Sequence, residues 1–265
     1  MAVQRHTVEV HLRRALKQQE FSLKYQPKID LITECIVGVE ALILWQSPSG
    51  EEWLPDQFIS IAEDCGLILP IGRWVLGEAC RQAQAWSQAG LPPITRSVNS
   101  SALEFHGDDF LDNIRKTLIE TGLDPGCLEI ELTESVLMGD AELTVFTLNG
   151  ISDLGIKLAV DDFGIGYSSL SYLKRFPINT LKIDRSFVHK MISNPDDANI
   201  MSAVISLGKS LNLRVIAEGV ETFEQKAFLL SKECDEVQGY YYSYPVVAEE
   251  LATLLQTGIS HILDF

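Results

Sequence analysis

Cysteine is scarce in this sequence, and none of the cysteines is paired. The chain has five cysteines in 265 residues, and no two of them are spaced as C-x-x-C. An odd, scattered set excludes a disulfide framework and a thiolate zinc site, and it favours a reducing, cytoplasmic location. The five histidines are also scattered and lack H-E-x-x-H spacing, so carboxylates are the metal ligands that the sequence offers.

Long apolar runs and basic residues are in short supply as well. The most apolar stretch, LILPIGRWVL, is interrupted by Pro70, Gly72 and Arg73, which argues against a membrane-spanning helix. The first residues are too charged for a signal peptide. Lysine and arginine number 21 against 37 aspartates and glutamates, a net charge of −16. This charge argues against binding DNA, RNA or an anionic membrane surface, but not against a small anionic ligand held through metal ions.

What the sequence does contain is a regular alternation of short apolar runs with helical patterns. Most of the runs lack the apolar–polar alternation of a half-exposed strand, which predicts strands covered on both faces, as in a parallel α/β sheet. Repeated β–α units predict a barrel or a doubly wound sheet, and 265 residues fit a single barrel. The eight runs are FSLKYQP, IVGVEALILW, ITRSVN, LEIEL, IKLAVDDF, TLKID, LRVIAEG and EVQGYYYS.

An amphipathic helix is predicted over residues 3–19, before the first strand. Its apolar side chains are Val8, Val10, Leu12 and Ala15. No linker divides the rest of the chain, so we expect residues 1–19 to be a connecting helix and residues 20–265 to form one barrel domain.

Further along, Asn194 is expected to cap a helix. The predicted buried stripe of that helix is Ile200, Val204, Leu207 and Leu211.

Polar residues close most of the apolar runs. They are Glu40, Asn99, Glu131, Asp161, Asp162, Lys182, Asp184, Glu218 and Gln238. In a barrel of parallel strands these positions meet at one rim, where ligands bind. Several carboxylates so close together cannot all stay ionised without a cation, which predicts a divalent metal site. Oxygen ligands suit Mg²⁺ or Mn²⁺.

The adjacent acids Asp161 and Asp162 predict a second ion. In a regular strand their side chains would point to opposite faces, so both can reach a metal only where the strand ends or bulges. A pair of ions about 4 Å apart is the usual arrangement for activating water against a phosphodiester. The sequence therefore predicts metal-dependent phosphoryl chemistry.

The motifs together resemble the bacterial EAL-domain cyclic di-GMP phosphodiesterases. In chain order they are EAL with Trp45 after it, Asn99 before Ser101 and Ala102, ELTES, DDFGIGYSSL, LKID, EGVE and QGY. The resemblance runs from about Phe21 to Leu255. It implies a modified TIM (β/α)8 barrel whose first strand is antiparallel, typically as a homodimer. It also implies hydrolysis of one phosphodiester of cyclic di-GMP to the linear dinucleotide pGpG, with two Mg²⁺ or Mn²⁺ ions.

The resemblance also assigns roles to single residues. It implies metal ligands at Glu40, Asn99, Glu131, Asp161, Asp162 and Glu218. It places Lys182 beside the nucleophilic water, with the general base open between Glu218 and Lys182, and it has Gln238 orient that water or the waters of the second metal. Glu134 would anchor the loop 162–170. The implied substrate contacts are Gln26, Leu42 and Glu221.

The chain departs from the family pattern at Leu44, where the family usually has an arginine that contacts a substrate phosphate. Losing a hydrogen bond to a charged group costs about 1.5–3 kcal/mol, so we expect weaker substrate affinity with the metal ligands intact. Ile165, where a threonine is common, is a milder departure. Glu129 is interpreted as a structural residue deeper in the barrel, not as a ligand.

Other functions fit the sequence less well. The D-F-G triplet lacks the accompanying motifs of a protein kinase. A glycosidase would need only two carboxylates and would leave Asn99 and Lys182 without a role. The main alternative is a non-catalytic cyclic di-GMP receptor or protein-interaction module. The resemblance further implies an upstream sensory or GGDEF-type domain, and hence a cytoplasmic protein or the cytoplasmic part of a membrane-attached one.

Overall fold

The computed structural model describes residues 2–47, 50, 52–138, 141–165 and 173–259. The strands are β1 (Phe21–Asp30), β2 (Ile36–Gln46), β3 (Glu52–Trp53), β4 (Thr95–Asn99), β5 (Leu128–Thr133), β6 (Lys157–Phe163), β7 (Thr180–Ile183), β8 (Arg214–Glu218) and β9 (Glu236–Gln238). The helices are α1 (Ala2–Gln18), α2 (Pro55–Asp64), α3 (Ile68–Gln88), α4 (Ala102–Phe105), α5 (Phe110–Thr121), α6 (Glu134–Leu137), α7 (Ala141–Asp153), α8 (Arg185–Lys190), α9 (Pro195–Ser210), α10 (Phe223–Ser231) and α11 (Ala248–Thr257).

Eight of these strands close into a barrel, and the short β3 adds to the edge of β2. The order is β1-β9-β8-β7-β6-β5-β4-β2, and a β1–β2 pairing completes the ring. The strand β1 is antiparallel to both of its neighbours, whereas every other barrel pairing is parallel. A short turn joins β1 to β2, which permits only antiparallel pairing. Longer connections join the parallel strands, and those that the structure describes in full contain helices. The predicted modified TIM barrel with an antiparallel first strand is confirmed.

A glycine controls how the chain leaves the last barrel strand. Gly239 follows β9 and lies against the backbone of Val220, and a Cβ at this position would overlap the Val220 nitrogen and carbonyl oxygen. The Val220 N–H donates to the carbonyl of Gln238 at 3.1 Å. The absent side chain at Gly239 thus lets the segments after β8 and β9 pack together and fixes the end of β9, where Gln238 lies.

In two helices one of the apolar residues named from the sequence is exposed. In α1 the side chains of Val8, Leu12 and Ala15 are buried, but Val10 is 51% exposed. In α9 the Asn194 cap is present, since the N–H of Asp196 donates to Asn194 Oδ1 at 3.1 Å. Ile200, however, is 41% exposed, so the predicted stripe was wrong there. The buried residues of α9 are Met201, Val204, Ile205 and Gly208.

The reason lies in how α9 approaches the barrel. Gly208 faces Val215 of β8 so closely that a Cβ would overlap the Val215 side chain. This contact turns α9 so that the Gly208 side of the helix, and not the Ile200 side, lies against the strands. A pattern of apolar residues alone favours the larger side chains and misses a face that contains a glycine.

The opening helix α1 packs against the barrel through polar contacts as well as apolar ones. Arg14 donates to Glu20 at 3.0 Å, and Trp45 Nε1 donates to the same carboxylate at 3.0 Å.

All five cysteines are free, as expected. None of the helices in the described part of the chain is long and apolar enough to cross a membrane.

We expect the barrel to depend on the buried face of α5. Ile114 is fully buried, whereas Ile119 on the same helix is 82% exposed. Ile114→Ala should lower the free energy of unfolding by about 2–5 kcal/mol, because it removes buried methyl groups and leaves a cavity. Urea denaturation measures this change. Ile119→Ala is the matched control and should change stability by less than about 0.5 kcal/mol; equal losses in both variants would contradict the packing described here.

Candidate active site

The carboxyl ends of the barrel strands bring together side chains that lie far apart in the sequence. Glu40 on β2, Glu131 on β5, Asp161 on β6 and Glu218 on β8 surround the ammonium group of Lys182 on β7. Strand ends converge at one rim of a parallel barrel, which is why these residues meet although their local sequences differ. The predicted convergence of carboxylates is present in the structure.

Lys182 is the centre of this cluster. Its Nζ lies 2.5 Å from Glu131 Oε2, 2.7 Å from Glu218 Oε1, 3.0 Å from Asp161 Oδ2 and 3.5 Å from Glu40 Oε2. The side chain is fully buried. Burial alone would lower the pKa of Lys182, but the surrounding carboxylates raise it well above its ordinary value. Lys182 is therefore an ammonium ion that donates hydrogen bonds.

The cluster carries more negative charge than one ammonium can balance. Burial raises the pKa of Glu218 well above its ordinary range, and Asp161 and Glu40 raise it further against the opposing effect of Lys182. Among the described residues, no three acidic, histidine or cysteine side chains form a ready-made metal-binding group. The Lys182 ammonium instead lies among the carboxylates and neutralises part of their charge.

Three amide side chains extend the cluster towards β1 and β9. Asn99 Nδ2 donates to Glu40 Oε1 at 2.7 Å, and Gln238 Nε2 donates to Glu40 Oε2 at 2.7 Å and to Gln26 Oε1 at 2.9 Å. Both carboxylate oxygens of Glu40 are thus held in place. Gln238 Oε1 is buried and has no hydrogen-bond partner among the described residues. A buried polar atom of this kind normally has a partner, so this oxygen is available to a ligand or a water molecule.

The two adjacent aspartates lie on a bulge, one of the two arrangements that the sequence left open. The pairing of β6 with β7 changes register between Val160 and Phe163, and Asp162 has a left-handed φ of 54°. The N–H of Asp162 donates to Asp161 Oδ1 at 2.9 Å. Burial and the charges of Asp161 and Asp184 raise the pKa of Asp162. Because of the bulge, both acids line the same cavity.

The loop anchor proposed for Glu134 lies partly outside the described residues. Glu134 is buried at the start of α6, and neither of its carboxylate oxygens has a hydrogen-bond partner within the described part of the chain. Residues 166–170 of the loop 162–170, which it was expected to hold, are not described. The role of Glu134 stays a prediction.

A cavity of about 440 Å³ opens above the cluster. Its lining residues are Gln26, Glu40, Leu42, Asp56, Asp161, Asp162, Asp184, Arg185, His189, Glu218, Gly219, Glu221, Gln238, Gly239 and Tyr240. The predicted substrate contacts Gln26, Leu42 and Glu221 are all among them. Sequence reasoning missed the basic residues Arg185 and His189, which come from the short helix α8 directly after the LKID motif.

Sequence reasoning also missed a second buried lysine. Lys28 Nζ donates to Ser97 Oγ at 2.5 Å, to Glu131 Oε1 at 2.7 Å and to Glu129 Oε1 at 3.0 Å. Burial raises the pKa of Glu129, but Lys28 and the hydroxyls of Ser97 and Thr180 lower it to a net value of about 2. Glu129 is thus a structural residue inside the barrel, as interpreted from the sequence. The available signal was a lysine directly after the apolar run FSLKYQP, before the apolar residue Ile29.

The fold and the site together define the class: a TIM-like barrel with an acidic, lysine-centred site at the carboxyl ends of its strands. The chain belongs to the EAL domain family, whose model matches residues 9–245.

Two relatives from Pseudomonas aeruginosa show the likeness over nearly the whole chain. The bifunctional diguanylate cyclase/cyclic di-GMP phosphodiesterase MucR is 44% identical over 240 residues, which are 91% of this chain and 35% of MucR. The cyclic di-GMP phosphodiesterase NbdA is 38% identical over 255 residues, which are 96% of this chain and 33% of NbdA. The chain therefore spans about a third of the length of either protein.

Solved structures show the same fold. The P. aeruginosa MucR phosphodiesterase in complex with c-di-GMP has a TM-score of 0.90 at 43% identity, and the match covers 92% of this chain and 99% of that one. The EAL enzyme Bd1971, bound to cAMP and cyclic di-GMP, has a TM-score of 0.91 at 32% identity, and the match covers 96% of this chain and 69% of that one.

We expect Lys28 to be important for stability. Lys28→Met should lower the free energy of unfolding by about 3–5 kcal/mol, because Glu129 and Glu131 would be left buried without this counter-charge. Lys24→Met is the matched control on the same strand: its pair with Glu52 is partly exposed at 3.6 Å, and its loss should cost less than about 1 kcal/mol. Chemical denaturation followed by circular dichroism measures both changes. Equal stability of the two variants would show that the buried network does not stabilise the fold.

Proposed function

We propose that this domain hydrolyses one phosphodiester bond of cyclic di-GMP to give linear pGpG. The observation that carries the proposal is the set of carboxylates around Lys182 at the floor of a cavity large enough for a small ligand. Membership of the EAL family and the c-di-GMP complex of the similar MucR domain support this substrate. The proposal concerns this domain, since the relatives are much longer proteins.

The residues present fit two Mg²⁺ or Mn²⁺ ions. The donor set consists of oxygen atoms, its negative charge exceeds the single ammonium at its centre, and Gln238 Oε1 is free to bind a water or a ligand. The residues that would hold the ions are Glu40, Asn99, Glu131, Asp161, Asp162 and Glu218. When bound, such ions supply a water of lowered pKa and positive charge for the phosphate.

The protein's own groups would orient the water and move its proton. Lys182, whose Nζ lies 2.7 Å from Glu218 and 3.0 Å from Asp161, would donate a hydrogen bond to the attacking water. The proton of the water would pass to Glu218 or Lys182, which lie within hydrogen-bond distance of each other. Gln238 is held by Glu40 and Gln26 and would orient water through Oε1.

The substrate would lie in the cavity above these groups. Gln26, Leu42 and Glu221 line its wall, and His189 lies 3.6 Å from Glu221. Arg185 and His189 are basic residues on a wall that is otherwise mainly acidic or neutral. Arg185 would offer positive charge to a phosphate of the dinucleotide, and the His189 ring would offer it a hydrogen bond.

The domain is further proposed to work inside a longer protein. The matching segments of MucR and NbdA make up about a third of those chains, which supports an upstream sensory or GGDEF-type domain. The connecting role of residues 1–19, the homodimer and the cytoplasmic location stay predictions.

One assay separates the proposed enzyme from a non-catalytic receptor. Purified protein should convert cyclic di-GMP to pGpG with Mg²⁺ or Mn²⁺, and chelation by EDTA should abolish the reaction. Glu40→Gln should lower kcat at least about 100-fold, because it removes a metal-ligand charge and a partner of Lys182. Chromatography of the products measures the rate.

Glu120→Gln, an exposed glutamate on α5, is the control and should leave kcat within twofold of the starting protein. Tight binding of cyclic di-GMP without any pGpG would contradict the proposed hydrolysis and support a receptor.

The expected weakness of substrate binding is tested at Leu44. Leu44 lies on the same face of β2 as Glu40 and is nearly buried. Leu44→Arg should lower KM about 10-fold or more with little change in kcat, because an added guanidinium gains a charged hydrogen bond to phosphate. Steady-state kinetics measure this, with Leu44→Met as a neutral control of similar volume. A KM that is unchanged or raised in Leu44→Arg alone would refute the expectation.

A further inference from the structure

The buried lysine of β1 touches one of the residues assigned above to ion binding. Lys28 is fully buried, and its three ammonium hydrogens have three acceptors: Ser97 Oγ, Glu129 Oε1 and Glu131 Oε1. Ser97 and Thr180 in turn donate to Glu129 at 2.7 and 2.9 Å. Acceptors from β4 and β5 therefore fix the position of this ammonium group, and Thr180 of β7 holds Glu129 in turn.

The two oxygens of Glu131 have different partners. Oε1 accepts from Lys28 at 2.7 Å, deep in the barrel, and Oε2 accepts from Lys182 at 2.5 Å, in the cluster at the rim. Glu131 itself is fully buried, so water cannot substitute for either partner. The orientation of its carboxylate is thus set by a lysine that does not line the cavity.

We propose that Lys28 is a positioning residue that holds Glu131 so that a single oxygen, Oε2, faces the ion-binding site. The inference rests on the proposed function and adds to it a residue that touches neither substrate nor ion. Partners of this kind, which hold a ligand through its other polar atom, typically change metal affinity or activity about 10-fold to 100-fold when they are lost.

The rival explanation is that Lys28 only neutralises buried charge. A charge-balanced pair of substitutions separates the two explanations. Lys28→Met combined with Glu129→Gln removes one positive and one negative charge from the same buried layer, so the net charge near the ion site is unchanged. The amide introduced by Glu129→Gln would retain the size of the carboxylate and an oxygen that accepts from Ser97 or Thr180. What the double variant lacks is the contact that orients Glu131.

The experiment measures Mn²⁺ affinity by isothermal titration and unfolding by urea, on the starting protein, Glu129→Gln and the double variant. We expect Glu129→Gln to bind Mn²⁺ within about threefold of the starting protein, because the Lys28–Glu131 contact is intact. The double variant should remain folded but bind Mn²⁺ about 10-fold to 100-fold more weakly. The Mn²⁺ concentration for half-maximal hydrolysis should rise by the same factor, while KM for cyclic di-GMP at saturating Mn²⁺ should change less than threefold.

Two other results would contradict either the positioning role of Lys28 or the proposed function as well. Mn²⁺ binding by the double variant equal to that of Glu129→Gln would show that Lys28 is only a counter-charge, while leaving the proposed function intact. A starting protein that neither binds Mn²⁺ nor forms pGpG would overturn both proposals.

If the double variant does not fold, Ser97→Ala tests the positioning role instead, because it removes one hydrogen-bond acceptor of Lys28 without changing any charge. It should weaken Mn²⁺ binding about 2-fold to 10-fold, and Thr180→Val, which touches Glu129 but not Lys28, should weaken it less. Equal binding by these two variants and the starting protein would refute the positioning role.

Discussion

The structure depends on the burial of like charges at one end of a barrel. Four carboxylates from four strands lie within 3.5 Å of the Lys182 ammonium, in a place where water can screen them only weakly. The barrel brings these carboxylates together, because the carboxyl ends of its parallel strands lie at one rim. The same charges would be unfavourable at any site that lacked a buried cation.

The antiparallel first strand gives this barrel a second layer of charge. Its reversed direction puts Gln26 opposite Glu40 near the rim and Lys28 opposite Gly38, one step deeper. Glu131 joins the two layers through its two oxygens. The hydrogen bonds of Lys28, deep in the barrel, therefore reach the cluster around Lys182 at the rim through the carboxylate of Glu131.

The sequence predicted those features that depend on residues close together in the chain. The eight barrel strands, the polar residues that end them and the bulge at Asp161 and Asp162 follow from apolar runs that stop at acids. The buried stripe of α9 was predicted less well, because Ile200 is apolar but lies on a side of the helix that does not contact the barrel. Lys28 was missed for a related reason: a lysine in a strand is usually exposed, and its acceptors Ser97, Glu129 and Glu131 come from strands far along the chain.

The charge of the cavity links the proposed ions to the proposed substrate. Its floor is formed by carboxylates, which repel a dianionic dinucleotide, and Arg185 supplies positive charge on its wall. Divalent ions at the floor would reverse the local field, so substrate would bind more tightly to the ion-loaded protein. Linkage then requires that substrate strengthen ion binding by the same factor.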